Sequence, residues 1–161
     1  MAESRKKRLG RIGAVSAALA LIATLALGAA PAYAAGTSYD NTDPASTGCA
    51  SGSSAIKTYP INRLGTSTSV GTLEVRYSPG CVTNWVRVYN TLAGTYASKW
   101  MDRDAGPGLA YNQTAAIYDP GVGWSYGDQL YAPGCIHVNA GIWDLSSGAT
   151  LIAQSGSKYL C

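Results

Sequence analysis

The chain has 161 residues, twelve Lys+Arg against nine Asp+Glu, four cysteines and no phenylalanine. Its formal net charge of +3 is misleading: the first 34 residues hold five of the twelve cations (Arg5, Lys6, Lys7, Arg8, Arg11) and one of the nine acids (Glu3), which leaves seven basic against eight acidic side chains beyond them. Those seven (Lys57, Arg63, Arg76, Arg87, Lys99, Arg103 and Lys158) are scattered and make no basic face, which excludes nucleic-acid binding.

Residues 1–34 read as a cleavable signal helix. A positive n-region precedes the Ala- and Leu-rich run from Ile12 to Leu27, and Ala32-Tyr33-Ala34 sets small residues at the −3 and −1 positions of a cleavage site. The apolar run approaches spanning length, but its small-residue ending and polar continuation favour cleavage over a retained anchor. No Arg-Arg pair occurs, so the general secretory route is expected. The predicted product is secreted and extracellular, free of the membrane after cleavage.

From Ala35 to Gly48 the chain is rich in Ser, Thr, Asp and Gly with no apolar period, and is expected to be a flexible polar arm until Cys49 pins it. Residues 49–161 are expected to form one β domain, large enough to bury about two-thirds of its unfolded surface. Ala55–Ile61 alternates weakly and carries Pro60, as an edge strand does. Gly71–Asn90 is the clearest unit: Leu73, Val75 and Tyr77 oppose Glu74 and Arg76, a Pro-Gly-Cys corner follows, and Val82, Val86 and Val88 oppose Thr83, Trp85, Arg87 and Tyr89. Trp85 is expected to be buried.

Gly94–Met101 is the next strand, with Tyr96, Ser98 and Trp100 on one side. Asp102–Asn112 is a loop by its Gly and Pro content, Ala115–Tyr118 a short strand and Asp119–Gly123 a turn. The Gly-containing stretch Trp124–Tyr131 reads as an exposed aromatic loop. Cys135–Asp144 alternates Ile136, Val138, Ala140 and Ile142 against His137, Asn139, Gly141 and Trp143, and Ala149–Ala153 is the last strand. No window offers an amphipathic helix of three turns beyond the leader. Short alternating strands with frequent turn signals predict an all-β fold, a compact antiparallel sandwich or barrel. Tyr77–Val82 (YSPGCV) is echoed by Tyr131–Ile136 (YAPGCI), which suggests two similar halves or the chance recurrence of a turn.

Cys49, Cys81, Cys135 and Cys161 all follow the leader, so two disulfides are expected. Three pairings are open, and Cys49–Cys81 with Cys135–Cys161 closes the shorter loops. No C-x2-C pair is present, which argues against zinc held by cysteine.

The stretches TDPASTGC (Thr42–Cys49) and GTLEVRYSPGC (Gly71–Cys81), with Trp85, Arg87 and a terminal Cys161, resemble the YjfA-like family of small secreted proteins of Gram-positive bacteria. Asp43, Pro44, Thr47, Gly48, Cys49, Arg76, Tyr77, Ser78, Cys81, Trp85 and Arg87 fall on its motif positions, with Val75 and Val86 as mild departures. The resemblance implies secretion and a compact β domain. It is a family of unknown function and supplies no catalytic residue.

Catalytic constellations are sparse. His137 is the only histidine, on a polar strand face without a nucleophile elbow in the sequence. Glu74 sits beside Arg76 and Arg87, as a cross-strand ion pair would. Asp102-x-Asp104-x-Gly106 is a fragment of a calcium loop lacking its later ligands, so neither metal nor cofactor is expected. Aromatics carry the stronger signal: Trp124, Tyr126 and Tyr131 lie near Asp119 and Asp128, and the arm brings Tyr39, Asp40 and Asp43. Rigid amphipathic rings beside carboxylates suit an interface. The expected function is therefore a non-catalytic interaction module, monomeric alone, that binds an extracellular or cell-surface protein, with the arm inserting into the partner. A lectin-like domain binding cell-surface glycan is the alternative, and a small hydrolase built on His137 comes third.

Overall fold

The computed structural model of the chain describes residues 36–146 and 148–161. The expected signal helix, residues 1–34, lies outside the described residues. After a single 3-10 turn at Thr37–Tyr39 come ten strands: β1 (Ser54–Arg63), β2 (Ser69–Ser78), β3 (Thr83–Asn90), β4 (Thr95–Arg103), β5 (Asn112–Gln113), β6 (Ile117–Pro120), β7 (Gly123–Tyr131), β8 (Ile136–Asp144), β9 (Thr150–Gln154) and β10 (Lys158–Leu160).

All pairings among these strands are antiparallel, in the order β5-β4-β8-β9-β1-β2-β3-β7, with β6 also on β4 and β10 also on β8. The sheet curls until β7 returns beside β4 and β6, giving a nearly closed barrel. Curling leaves few edges open, the usual all-β remedy for unpaired backbone. Both disulfides have the expected pairing, Cys49–Cys81 and Cys135–Cys161.

The period-two pattern is realised where it was clearest. Leu73 and Val75 of β2, Val86 and Val88 of β3, and Val138 and Ile142 of β8 have no more than a trace of exposure and fill the interior. Each such side chain contributes about 1.5–3 kcal/mol on burial. Trp85 is as deeply buried as expected, but on the other face of β3 from Val86 and Val88, outside the barrel core. The segment carrying Pro44 and Cys49, both buried, covers that face. Pro60 of β1 is exposed, and β1 pairs on its second side only at Asn62 and Arg63, so most of it is an edge.

Three expectations change. The two Pro-Gly-Cys corners are not equivalent: the first closes the β2–β3 hairpin, whereas the second carries the chain from β7 to β8, which do not pair. Trp124–Tyr131 is not a loop but most of β7. Its glycine misleads, because a Cβ on Gly127 would lie 3.3 Å from the Val86 carbonyl and side chain and 3.7 Å from the Lys99 stem. Gly127 is where β7 is drawn tight onto the barrel, a strand use of glycine rather than a turn use.

The third concerns the polar arm, which does not hang free. Asn41 N–H donates to the Gln129 carbonyl at 2.9 Å and Gln129 N–H to the Thr42 carbonyl at 3.0 Å, so residues 41–42 form a bridge on the edge of β7. The fully buried Gln129 side chain donates to the Thr42 and Thr47 hydroxyls and accepts from Thr83. Asp40 accepts from Arg103 (2.7 Å), from the Tyr131 N–H (2.8 Å) and from Asn112 (3.0 Å). A polar segment is thus packed by hydrogen bonds, and it fills the seam between β7 and the β4–β5 edge.

Candidate functional site

An open groove of about 820 Å³ runs over the outer face of β2, β3 and β7, bounded by β6 and by residues 43–53. Alternation dictates its lining: with Leu73, Val75, Val86 and Val88 turned inward, Arg76, Trp85 and Arg87 must face out into it, on the same side as the Glu74 that the two arginines hold.

The floor is an ion network. Buried Glu74 accepts from Arg76 at 2.8 Å and from Arg87 at 2.6 and 3.0 Å. Arg76 also donates to the Ser53 carbonyl and hydroxyl, which ties the covering segment down. Burial alone would raise the Glu74 pKa, but hydrogen bonds from Arg87 and Arg76 outweigh it and hold the carboxyl below its ordinary range. The same bond to Glu74 raises Arg87.

Above this floor stand the aromatics. The Arg87 guanidinium lies 4.0 Å from the centroid of Trp124, a cation–π geometry, and Tyr89 packs at 5.2 Å from the same ring. Trp124 and Tyr126 nonetheless remain 42% and 51% exposed, large apolar surfaces turned to solvent.

Three carboxylates complete the lining. Asp119 is held by Lys99, whose side chain is wholly buried on the inward face of β4 between Ala97 and Met101; its ammonium donates to Asp119 and, at 2.9 Å, to Ser125. Burial lowers the Lys99 pKa, and the bond to Asp119 opposes that fall. Asp43 and Asp128 differ: neither is ion-paired with a cation among the described residues. Burial, and then the charge of Asp43, push the Asp128 carboxyl above its ordinary value. Asp43 accepts from the Ala45 N–H at 2.8 Å, but among the described residues no cationic side chain pairs with either acid of this wall.

Of the residues singled out from sequence, the groove unites Trp124, Tyr126, Asp119, Asp128 and Asp43. Asp40 belongs to the seam, as does the Tyr131 backbone, while the Tyr39 carbonyl accepts from Thr42. Sequence reasoning missed Arg76 and Arg87 as groove residues, and Lys99 as the group beneath it. The alternation of β2 and β3 was the available signal for the arginines.

His137 stands elsewhere, on β8 directly across from Asp102 of β4. Its Nδ1 lies 2.9 Å from Asp102 Oδ1, and its ring packs 4.6 Å from that of Tyr159. Every cysteine is oxidised.

Against this geometry stands one family match: the profile described as "Protein of unknown function (DUF2690)" covers residues 37–122. The chain belongs to that family. The DUF2690 match runs from the 3-10 turn through β6, so it takes in Asp43, Arg76, Trp85, Arg87 and Asp119 and stops just before Trp124, Tyr126 and Asp128. No curated protein and no solved structure matches the chain.

Proposed function

We propose that the chain is a secreted, non-catalytic binding module whose groove seats a Lys- or Arg-bearing segment of another extracellular protein. The observation that carries this reading is the Asp43–Asp128 wall beside exposed Trp124 and Tyr126. A protein gains no stability from a carboxylate whose pKa it raises, so such a group is retained for something else. An ammonium or guanidinium from a partner would neutralise the wall, and its alkyl stem would lie along the rings.

Export is supported by the leader-like composition of residues 1–34 and by two disulfides. The YjfA-like resemblance and an origin in a Gram-positive bacterium belong to the same reading.

The test is calorimetric binding of a lysine-bearing peptide and of its lysine-acetylated twin, with pull-down from culture medium by the tagged protein alongside. Asp128→Asn and Trp124→Ala should each weaken binding of the lysine form about tenfold, the scale of one charged or aromatic anchor. Indifference to acetylation would end the reading. Retention on insoluble polysaccharide, lost on Trp124→Ala, would replace it with the glycan-binding alternative that the same rings and carboxylates favour.

A further inference from the structure

We propose that Asp102, Asp104 and His137 form a binding site for one divalent transition cation of the zinc class, on the outer face of β4 and β8 and separate from the groove. Antiparallel register builds it. Asp102 and His137 are cross-strand partners, so their side chains leave the same face within reach of each other. Asp104, two residues beyond Asp102 and just past the end of β4, lies on that same side, 4.0 Å from His137 Nδ1.

The donor geometry fits. His137 Nδ1 lies 2.9 Å from Asp102 Oδ1 and 4.0 Å from Asp104 Oδ1, and one donor atom from each residue lies within 4.8 Å of the other two. Ligands at about 2.1 Å around a tetrahedral ion stand roughly 3.4 Å apart, between those two separations. Asp104 is the most exposed of the three and is free to make the remaining adjustment, while Asp102 is nine-tenths buried and fixed by its strand.

Among the described residues neither Asp102 nor Asp104 pairs with lysine or arginine; Arg103, between them, is turned away to Asp40. Tyr159 donates its hydroxyl to Asp104 at 3.0 Å.

The donor set selects the ion. One imidazole and two carboxylates suit zinc and its neighbours, whereas calcium requires six to eight oxygens. Exposure of His137 and Asp104 leaves an open side for entry and for a water ligand. Tyr159, on β10, would act as the supporting group, because its hydroxyl holds Asp104 and its ring holds His137. An ion here would fasten the C-terminal strand to β4 and β8 beside the Cys135–Cys161 bridge.

Because the chain has a single histidine, its imidazole proton resonances in an untagged preparation report the site without ambiguity. Titration of the disulfide-intact protein with zinc chloride should shift those resonances, give one ion per chain by calorimetry, and raise Tm on the order of 10 °C at a hundredfold excess over Kd. His137→Gln and Asp104→Asn, both at exposed positions, should keep the native far-ultraviolet spectrum and lose at least tenfold in zinc affinity. Unmoved resonances at millimolar zinc would overturn the site. So would undiminished binding by Asp104→Asn, which would mark a lone surface histidine, or binding of calcium in preference to zinc.

Discussion

Lys99 and Asp119 form an unequal ion pair, and the inequality predicts opposite effects from removing either partner. The lysine side chain has no exposure, whereas the Asp119 side chain is 40% exposed. With Lys99→Met, Asp119 returns to water at little cost and an apolar stem of similar length keeps its packing beneath Gly127. Replacing a buried charge in this way is neutral to stabilising, here by about 1–2 kcal/mol. With Asp119→Ala, the ammonium keeps only Ser125. Stranding a buried charge costs about 3–5 kcal/mol, reduced to roughly 2–3 because the pair opens partly to solvent. The two variants should therefore differ by about 4 kcal/mol, or on the order of 15 °C in Tm for a domain of this size. Urea unfolding of the oxidised proteins measures both against wild type. The alkaline limb gives a further check. Lys99 has a folded pKa below the unfolded value of 10.5, so the unfolded state binds more protons in that interval and wild-type stability rises with pH there. The advantage of Lys99→Met must shrink across the same interval. Asp119→Ala melting with wild type, or Lys99→Met melting below it, would show that water reaches the ammonium and that the barrel is not sealed at the seam.

Two further perturbations follow from the paired charges. Asp40→Ala should cost about 3 kcal/mol, because it leaves the buried Arg103 with carbonyl partners only and frees the seam-filling segment; a chemical melt unchanged by the substitution would return that segment to the role of a free arm. Glu74→Gln should cost about 2 kcal/mol at neutral pH by leaving Arg76 and Arg87 unpaired. The folded pKa of Glu74 lies below its unfolded value of 4.5, so its contribution is complete above 4.5 and lost as pH falls through the folded pKa. The gap between wild type and Glu74→Gln in acid unfolding should close below pH 4.5, and a gap independent of pH would refute the assignment.

The sequence disclosed the barrel's lining because alternation is a local property. Leu73, Val75, Val86, Val88, Val138 and Ile142 announce an inward face within a few residues of chain. What stayed hidden depends on partners far along it. Asp40 is explained by Arg103 and Tyr131, 63 and 91 residues away, so a stretch with no apolar period looked unable to pack. Lys99 occupies an inward position of a strand whose outward residues, Tyr96, Ser98 and Trp100, were legible; only the Ser125 and Asp119 partners make a lysine tolerable there. Gly127 looked like a loop former because its reason, the nearness of Val86 and Lys99, lies on other strands. Asp102-x-Asp104 looked like an unfinished motif because its neighbour His137 comes from the adjacent strand. Proximity along the chain was readable, and proximity across the barrel was not.

The eight carboxylates beyond the leader divide according to what holds them. Glu74 serves Arg76 and Arg87, Asp40 serves Arg103, Asp119 serves Lys99, and Asp144 caps the turn at Ser146. These four carry architecture: they bind the covering segment, the seam and the barrel's closing edge. The other four, Asp43 with Asp128 and Asp102 with Asp104, pair with no lysine or arginine among the described residues and stand in two pairs on two separate surfaces; Asp43 accepts from the Ala45 N–H at 2.8 Å, Asp102 contacts His137 and Asp104 accepts from Tyr159. Both proposed cation sites draw on these four carboxylates. The surroundings separate the two cases: exposed rings beside Asp43 and Asp128 suit an organic cation with an alkyl stem, and a bare imidazole beside Asp102 and Asp104 suits a metal ion.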